Sequence, residues 1–517
     1  MKTKAISLFL AVTCILTAFS GCSTGVDLSM LSDESTVEYV SKAEKSESLK
    51  SSDSSEKTTS SKGTSSAAVK IDPPDRYTPF EEDKTNYDLS GQVSDLGGRT
   101  IYISSGLVQS DSSLTGAEGL RIAQLKSDIE KKYNCKIVTK KSITNDAMIA
   151  SIVAGSPIVD IWTVRYDSDF TNAYNAGLLQ PLEDLKCIDL GDTTKFSNFS
   201  GKYKINGKHY AFYPQLYGYM QICVNSVLFA NKSLLKAKGI DIEDIYKLQE
   251  SGKWTWDEFA KIAKKVSDSS SGVYAIQEDS DGFLYRSLMA SNDTDYVVLK
   301  NNKLQFNAAS SEAKKVMDFY ASLMSDGSMN PIVAKSQQAG ITNYNNGKSV
   351  FLAGWPSYHS PKWTIMSDEV MNNTAILYIP KPTTKGDYKS FVGDTCPISI
   401  PVYSARDGKS ADLLARETAT IINELFAPVY STSEYEKLFT NECKQAAGSD
   451  ANALKTLMNV YSKSVISFNQ MVETVNKNDG KGWIEQINGI AKNPTSYQTV
   501  IDTYSNTYNS LLNKVKY

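Results

Sequence analysis

An α/β fold with a parallel sheet is predicted by three features of the 517-residue chain. Strand-like and helix-like segments alternate between residues 98 and 164. The helix-like segments carry one apolar stripe at 3–4 spacing. The composition, 41% hydrophobic and 22% charged, is that of globular domains. A single core does not serve a chain this long, so two or more domains are expected.

Gly98-Arg-Thr-Ile-Tyr-Ile-Ser104 reads as a buried first strand. Residues 115–133 read as a helix, with Ile122, Leu125, Ile129 and Tyr133 on one face. Residues 136–139 form a second strand, residues 148–154 a helix closed by Gly155 and Pro157, and residues 159–164 a third strand. Further on, Thr255-Trp-Asp-Glu258 has the form of a capping box, in which the Thr hydroxyl and the Glu carboxylate each accept the other's backbone amide. It opens a helix to Val266. Glu312–Met324 and Tyr497–Val515 are the other clear helices. No internal repeat is present.

Lys and Arg number 55 against 58 Asp and Glu, for a formal charge of −3. A nucleic-acid binder shows a basic excess or stripe, and none is seen. Two histidines, His209 and His359, leave no basis for a His-rich metal site. No cofactor is expected.

Lys2 and Lys4 precede an apolar run from Ala5 to Phe19. The run is short for a span of about 30 Å of hydrocarbon and suits a secretory signal. Phe19-Ser-Gly-Cys22 resembles a bacterial lipobox, with Phe where Leu is usual. Cys22 would be lipidated and anchor the protein on the outer face of the cell membrane; plain cleavage without lipid is the other reading. Residues 41–70 contain 11 Ser and three Thr among charged residues. Such a stretch buries too little apolar surface to offset its ordering entropy. Residues 1–22 are therefore read as signal and 23–94 as a tether, with an end-to-end distance of about 45–50 Å as a coil. Of the seven cysteines, five remain after positions 14 and 22, an odd number without a C-x-x-C pair, which favours isolated thiols.

Several motifs fail on inspection. Gly347-Lys-Ser349 lacks the upstream glycine of a phosphate-binding loop, and its strand follows it. Gly21-Cys-Ser-Thr-Gly25 sits at the signal junction, not on a nucleophile elbow. Asp279-Ser-Asp281 and Asn478-Asp-Gly480 lack the oxygen ligands of a calcium loop. A carboxylate pair for glycoside hydrolysis is defined in space, and no acidic motif marks one.

Six stretches, in order, resemble the extracellular solute-binding proteins of family 1. They are Ile152-Val-Ala-Gly-Ser-Pro-Ile-Val-Asp-Ile-Trp162, Ala176-Gly-Leu-Leu-Gln-Pro-Leu182, Ile205-Asn-Gly-Lys-His-Tyr-Ala-Phe-Tyr-Pro214, Val224-Asn225 through Gly239-Ile240, Gly252-Lys-Trp-Thr-Trp-Asp-Glu-Phe259, and Tyr344 through Trp355. Val224 stands where that family has tyrosine. The resemblance implies a two-lobed, periplasmic-binding-protein-like fold of type II, similar to the maltose-binding protein, with three crossings between lobes. Lobe one would hold residues 95–214 plus 394–455, and lobe two 215–393 plus 456–517. Tyr213, Pro214 and Gly393 would serve as hinge, with the third crossing between about 450 and 465.

The resemblance also implies a non-enzymatic, monomeric lipoprotein that gives a carbohydrate, of oligosaccharide size, to an ABC permease. A secreted glycan-active enzyme, and a surface glycan-binding or sensing module without transport, stay open as alternatives. The candidate ligand residues are Arg165, Tyr166 and Asp167 after the third strand, Gln215, Tyr217 and Tyr219 at the first crossing, Trp355 and Tyr358 after Gly354, and Asp394 at the second crossing. Aromatic faces suit the C–H faces of a sugar; amides, Arg and carboxylates suit its hydroxyls. As a cleft residue, Trp355 is expected to matter for binding and little for stability.

Overall fold

A computed structural model describes residues 84–104, 116–141, 143–164, 167–215, 225–278, 282–301, 303–334, 336–360, 365–393, 396–469, 471 and 483–513. Cys22 and the tether up to residue 83 lie outside them. In the first lobe, β1 (Thr100–Ser104) pairs in parallel with β2 (Lys136–Lys140), from Thr100↔Lys136 to Ser104↔Lys140. α1 (Gly116–Tyr133) joins them as the right kind of crossover, burying Ile122, Ile129 and Tyr133. α2 (Asn145–Val153) starts at Thr144, whose side chain accepts the Ala147 amide. Ile161 then bridges Ile103 in parallel, and β3 is only Trp162–Thr163.

The second lobe has a four-stranded sheet. β4 (Val227–Asn231), β5 (Tyr274–Ile276), β6 (Ser349–Gly354) and β7 (Thr374–Leu377) lie in the order β7-β4-β6-β5. Every residue of β6 is buried, as expected of a central strand. α3 (Trp256–Val266) begins where the sequence predicts, with Thr255 Oγ1 facing the Glu258 amide at 3.5 Å. The reverse half of the capping box is absent: the Glu258 carboxylate faces Lys261 instead, at 3.5 Å. Trp254 and Trp256 are buried, each indole donating to a carbonyl of the strand's exit, Tyr378 and Pro380.

Two crossings run side by side. β8 (Ser390–Val392) leads out of the second lobe, and β9 (Ile398–Ser399) pairs antiparallel with β3 in the first. Phe212 and Ile398 exchange both backbone hydrogen bonds, at 2.9 and 2.8 Å, while Asn225 bridges Val392 on the other side. The two stretches are thus paired at Phe212–Ile398 and at Asn225–Val392.

Two boundaries differ from expectation. The folded body starts before residue 95: the Gly91 amide donates to Lys186 O, Val93 N donates to Thr420 Oγ1, and Tyr87 and Val93 pack on the first-lobe core. A methyl at Gly91 would lie 2.1 Å from Leu185 O, so the polar run ends in a close backbone approach that composition does not reveal. The third crossing also comes early. Phe426, ending α4 (Ala411–Leu425), packs on Phe212 in the first lobe. By Ala446 the chain lies on the second lobe, where His359 Nδ1 meets Ala446 O at 2.7 Å and Asp450 pairs with Lys232 at 3.1 Å. α5 (Thr432–Ala447) thus meets both sets of partners, with Glu434 on Arg121 of α1 at 3.1 Å and Ala446 on His359, and α6 (Ala451–Val460) follows it. After them β10 (Ser464–Ile466) pairs in parallel with β8.

Candidate functional site

The candidate site is a side-chain cluster where β6, β8 and the helix Phe283–Ser291 meet beside Gly393. Gly347, at φ +67°, turns the chain into β6, and Trp355 is the first residue past its end. The Trp355 indole meets Phe283 edge-to-face at 4.6 Å and Phe391 at 5.5 Å. The Arg286 guanidinium lies over the rings of Phe283 and Phe391, 5.6 and 5.4 Å from their centroids. Gly393 closes this cluster: a methyl there would sit 2.7 Å from Trp355 Cη2 and 2.5 Å from Phe391 Cε2. Glycine at 393 is therefore required by close approach to the indole, which is a different reason from the backbone freedom that a hinge suggests.

Trp355 is 7% exposed. An indole buried among two aromatic rings supports folding as well, so the expectation that it matters little for stability is replaced. Tyr358 sits in the short turn Pro356–His359, also buried; its ring covers Gly354, where a methyl would lie 2.6 Å away, and stacks near Phe229. Gln215, at the end of the first crossing, is 9% exposed, its amide nitrogen of the main chain bound to Lys195 O. Its side-chain Oε1 is buried and has no hydrogen-bond partner among the described residues. Tyr213 and Pro214 are tied to the first lobe: the Tyr213 amide donates to Ser200 Oγ at 2.9 Å and Pro214 bridges Phe196.

Arg165, Tyr166, Tyr217, Tyr219 and Asp394 lie outside the described residues, as does the side chain of Asp167, whose backbone opens the helix Asp167–Asn175. Phe283, Arg286 and Phe391 join Trp355 although the sequence did not single them out as ligand candidates. Phe391 was within reach of sequence reasoning, since it lies just before Gly393 and Asp394 of the second crossing that the resemblance implies. Among the described residues no group of three or more His, Cys, Asp or Glu is placed to hold a metal ion, and no helix is long and apolar enough to cross a membrane.

The segment after β10 is anchored by Asp295, which accepts Ser467 Oγ–H at 2.6 Å and the Phe468 amide at 3.1 Å. Burial pushes the Asp295 carboxyl up to about 6, against these hydrogen bonds, which pull it down. A carboxyl raised in the folded state favours folding most below its unfolded pKa, near 4, and that contribution is lost as pH rises through 6. Asp295→Asn should therefore remove a pH dependence. Between pH 4 and pH 7.5 the wild type should lose on the order of 2 kcal/mol relative to the variant, since the residue keeps some exposure. Urea unfolding of both chains at the two pH values checks this, and parallel pH profiles would refute it.

A family profile described as bacterial extracellular solute-binding protein matches residues 124–420, more than half of the chain. Comparison with curated proteins gives no match. Among solved structures, the GacH receptor of Streptomyces glaucescens, determined unliganded and with acarbose, is 14% identical, with a TM-score of 0.52 over 81% of this chain and 100% of that one. The sugar-binding protein MalE of Xanthomonas citri is 13% identical, with a TM-score of 0.54 over 80% and 97%. A solute-binding protein of Thermotoga lettingae, bound with α-D-tagatose, is 15% identical, with a TM-score of 0.52 over 80% and 100%. At such identities the solved structures speak for the two-lobed fold. The profile match, which runs over more than half of the chain from within α1 to α4, shows that the chain belongs to the bacterial extracellular solute-binding proteins.

Proposed function

We propose that this protein captures a carbohydrate of oligosaccharide size between its lobes and delivers it to an ABC importer. The observation that carries this reading is the Trp355 indole set against Gly393 of the second crossing. The part of the indole that stays exposed lies beside the crossing, where it can meet the C–H groups that a pyranose ring presents on its flat sides. Gln215 Oε1, buried and without a partner among the described residues, supplies an acceptor for a hydroxyl. Tyr358, Arg165, Tyr166, Asp167, Tyr217, Tyr219 and Asp394 complete the proposed ligand set by chain position. Tyr213, Pro214 and Gly393 are the proposed hinge.

A thermal-shift panel of mono- and oligosaccharides, with amino acids and short peptides as controls, tests the reading. A ligand at 100 times its dissociation constant adds about 2.7 kcal/mol of stability. A clear shift with a sugar supports the proposal; shifts confined to peptides or amino acids would end it. Turnover of the bound sugar would favour the glycan-active enzyme instead.

The signal-like start and the Phe19–Cys22 stretch support a lipid anchor at Cys22 on the outer face of the membrane, with the Ser-rich stretch as spacer. Cys22→Ala should move the protein from the membrane fraction into the medium. A wild type already found in the medium would exclude the anchor.

A further inference from the structure

We propose that Lys202 is a positioning residue for lobe closure: carried by the first lobe, it grips the carbonyl of Ser467 in the second and sets the balance between closed and open forms. This rests on the two-lobed solute-binding reading, though not on the solute being a carbohydrate.

Lys202 lies in the turn Asn198–Tyr203, which belongs firmly to the first lobe. Ser197 caps it by accepting the Phe199 amide, Ser200 Oγ accepts the Tyr213 amide, and the Tyr203 ring meets Phe170 edge-on at 4.9 Å. The base of the lysine is thus fixed beside the first crossing. Its head is not on that lobe. Lys202 is 2% exposed, and Nζ donates to Ser467 O at 2.6 Å, with the Phe468 ring centroid 5.7 Å away.

The receiving end is equally fixed. Ser467 and Phe468 directly follow β10 and are held to the second lobe by the Asp295 carboxylate, through Ser467 Oγ and the Phe468 amide. Asn469 N donates back to Ser467 Oγ at 3.2 Å. A hinge motion that separates the lobes must therefore extend or break the Lys202–Ser467 bond, because neither end has slack. An enclosed ammonium is stabilised by a charge-assisted bond and by an aromatic face, and its four-carbon stem packs as an apolar group. When the lobes part, the same ammonium regains water. The exchange is near balance, as a reversible two-state closure requires.

The test uses the full chain without ligand. Spin labels introduced at Leu120 and Ile332, exposed residues of the first and second lobes, report the interlobe distance. Lys202→Met keeps the stem and removes the charge; Lys202→Arg keeps the charge. The long-distance population should rise at least twofold in Lys202→Met and match the wild type in Lys202→Arg, with faster hydrogen exchange at the Ser467–Asn469 amides in the Met variant only. Should Lys202→Met not fold, Lys202→Gln serves in its place. Unchanged distances in a folded uncharged variant, or a lowered melting temperature without opening, would overturn the proposal. A sugar panel that fails while the distances shift would sink the carbohydrate reading and leave this one standing.

Discussion

Asp160→Ala is expected to destabilise the first lobe by about 3–5 kcal/mol, the range for removing one member of a buried ion pair. Asp160 is 1% exposed and gathers four donors. Arg99 Nη2 meets Oδ1 at 2.5 Å, Tyr403 OH donates to Oδ1 at 3.1 Å, Arg406 Nη2 lies 3.4 Å away, and the Tyr102 amide donates to Oδ2 at 2.8 Å. Arg99 in turn reaches Glu417 at 2.8 Å, and Lys409 closes the network on Glu417 at 2.6 Å. Burial works against the Arg99 charge, but Asp160, Tyr403 and Glu417 outweigh it, so its pKa is raised. The alanine variant would leave that guanidinium enclosed with one carboxylate fewer, and the β1 amide of Tyr102 without its acceptor. Asp160→Asn keeps one acceptor oxygen, for either the Tyr102 amide or the Tyr403 hydroxyl, and should cost less. Denaturant unfolding of the three chains checks the order. A loss below about 1 kcal/mol for the alanine variant would mean that water reaches Arg99, and that the network does not hold β1 to α4.

That network marks the limit of what sequence reading could see. Asp160 is conspicuous in the sequence, as the acid of the Gly155–Asp160 motif, and its role is read only from three dimensions. Its partner Arg99 lies 61 residues before it and Tyr403 and Arg406 lie 243 and 246 residues after it, and no local pattern joins them. The secondary structure was legible wherever a local rule decides it. The amphipathic stripe of α1 and the Thr255 cap placed two helices to within a residue at their starts. The third strand was overestimated, because a stretch of six residues forms strand only where a partner edge is offered, and β9 offers two residues. The tether boundary failed for a related reason: Gly91 and Val93 find their partners at Lys186 and Thr420, far along the chain. At the candidate site, the end of β6 identified Trp355, since a buried central strand must deliver its next residue to the sheet's edge. Of the rings around that indole, Phe283 was illegible, because it lies 108 residues from Phe391 and is joined to it only by packing.

Trp355→Ala should weaken solute binding by about 2–4 kcal/mol, the range of an aromatic hot spot, and should also lower the stability of the ligand-free chain. The second effect follows from the cluster. The indole has lost nearly all its exposure to Phe283, Phe391 and Gly393, and emptying such a volume costs about 3–5 kcal/mol where it cannot collapse. Here the cost should fall toward the lower end, because the cluster adjoins a crossing, where the lobes can shift to fill space. Two effects in one variant need a second substitution to separate them. Trp355→Phe keeps a ring against Phe283 and should recover most of the stability. It presents a smaller face to a sugar and should recover only part of the affinity. Calorimetry with the sugar found by the panel, paired with denaturant unfolding of the free chains, gives both quantities for both variants. A stability loss with full affinity in Trp355→Ala would place the indole in the core alone, and the stacking face of the site would then have to be sought elsewhere. Affinity that falls further than stability in Trp355→Phe would show that the indole faces the solute, since packing is the part of its role that phenylalanine can replace.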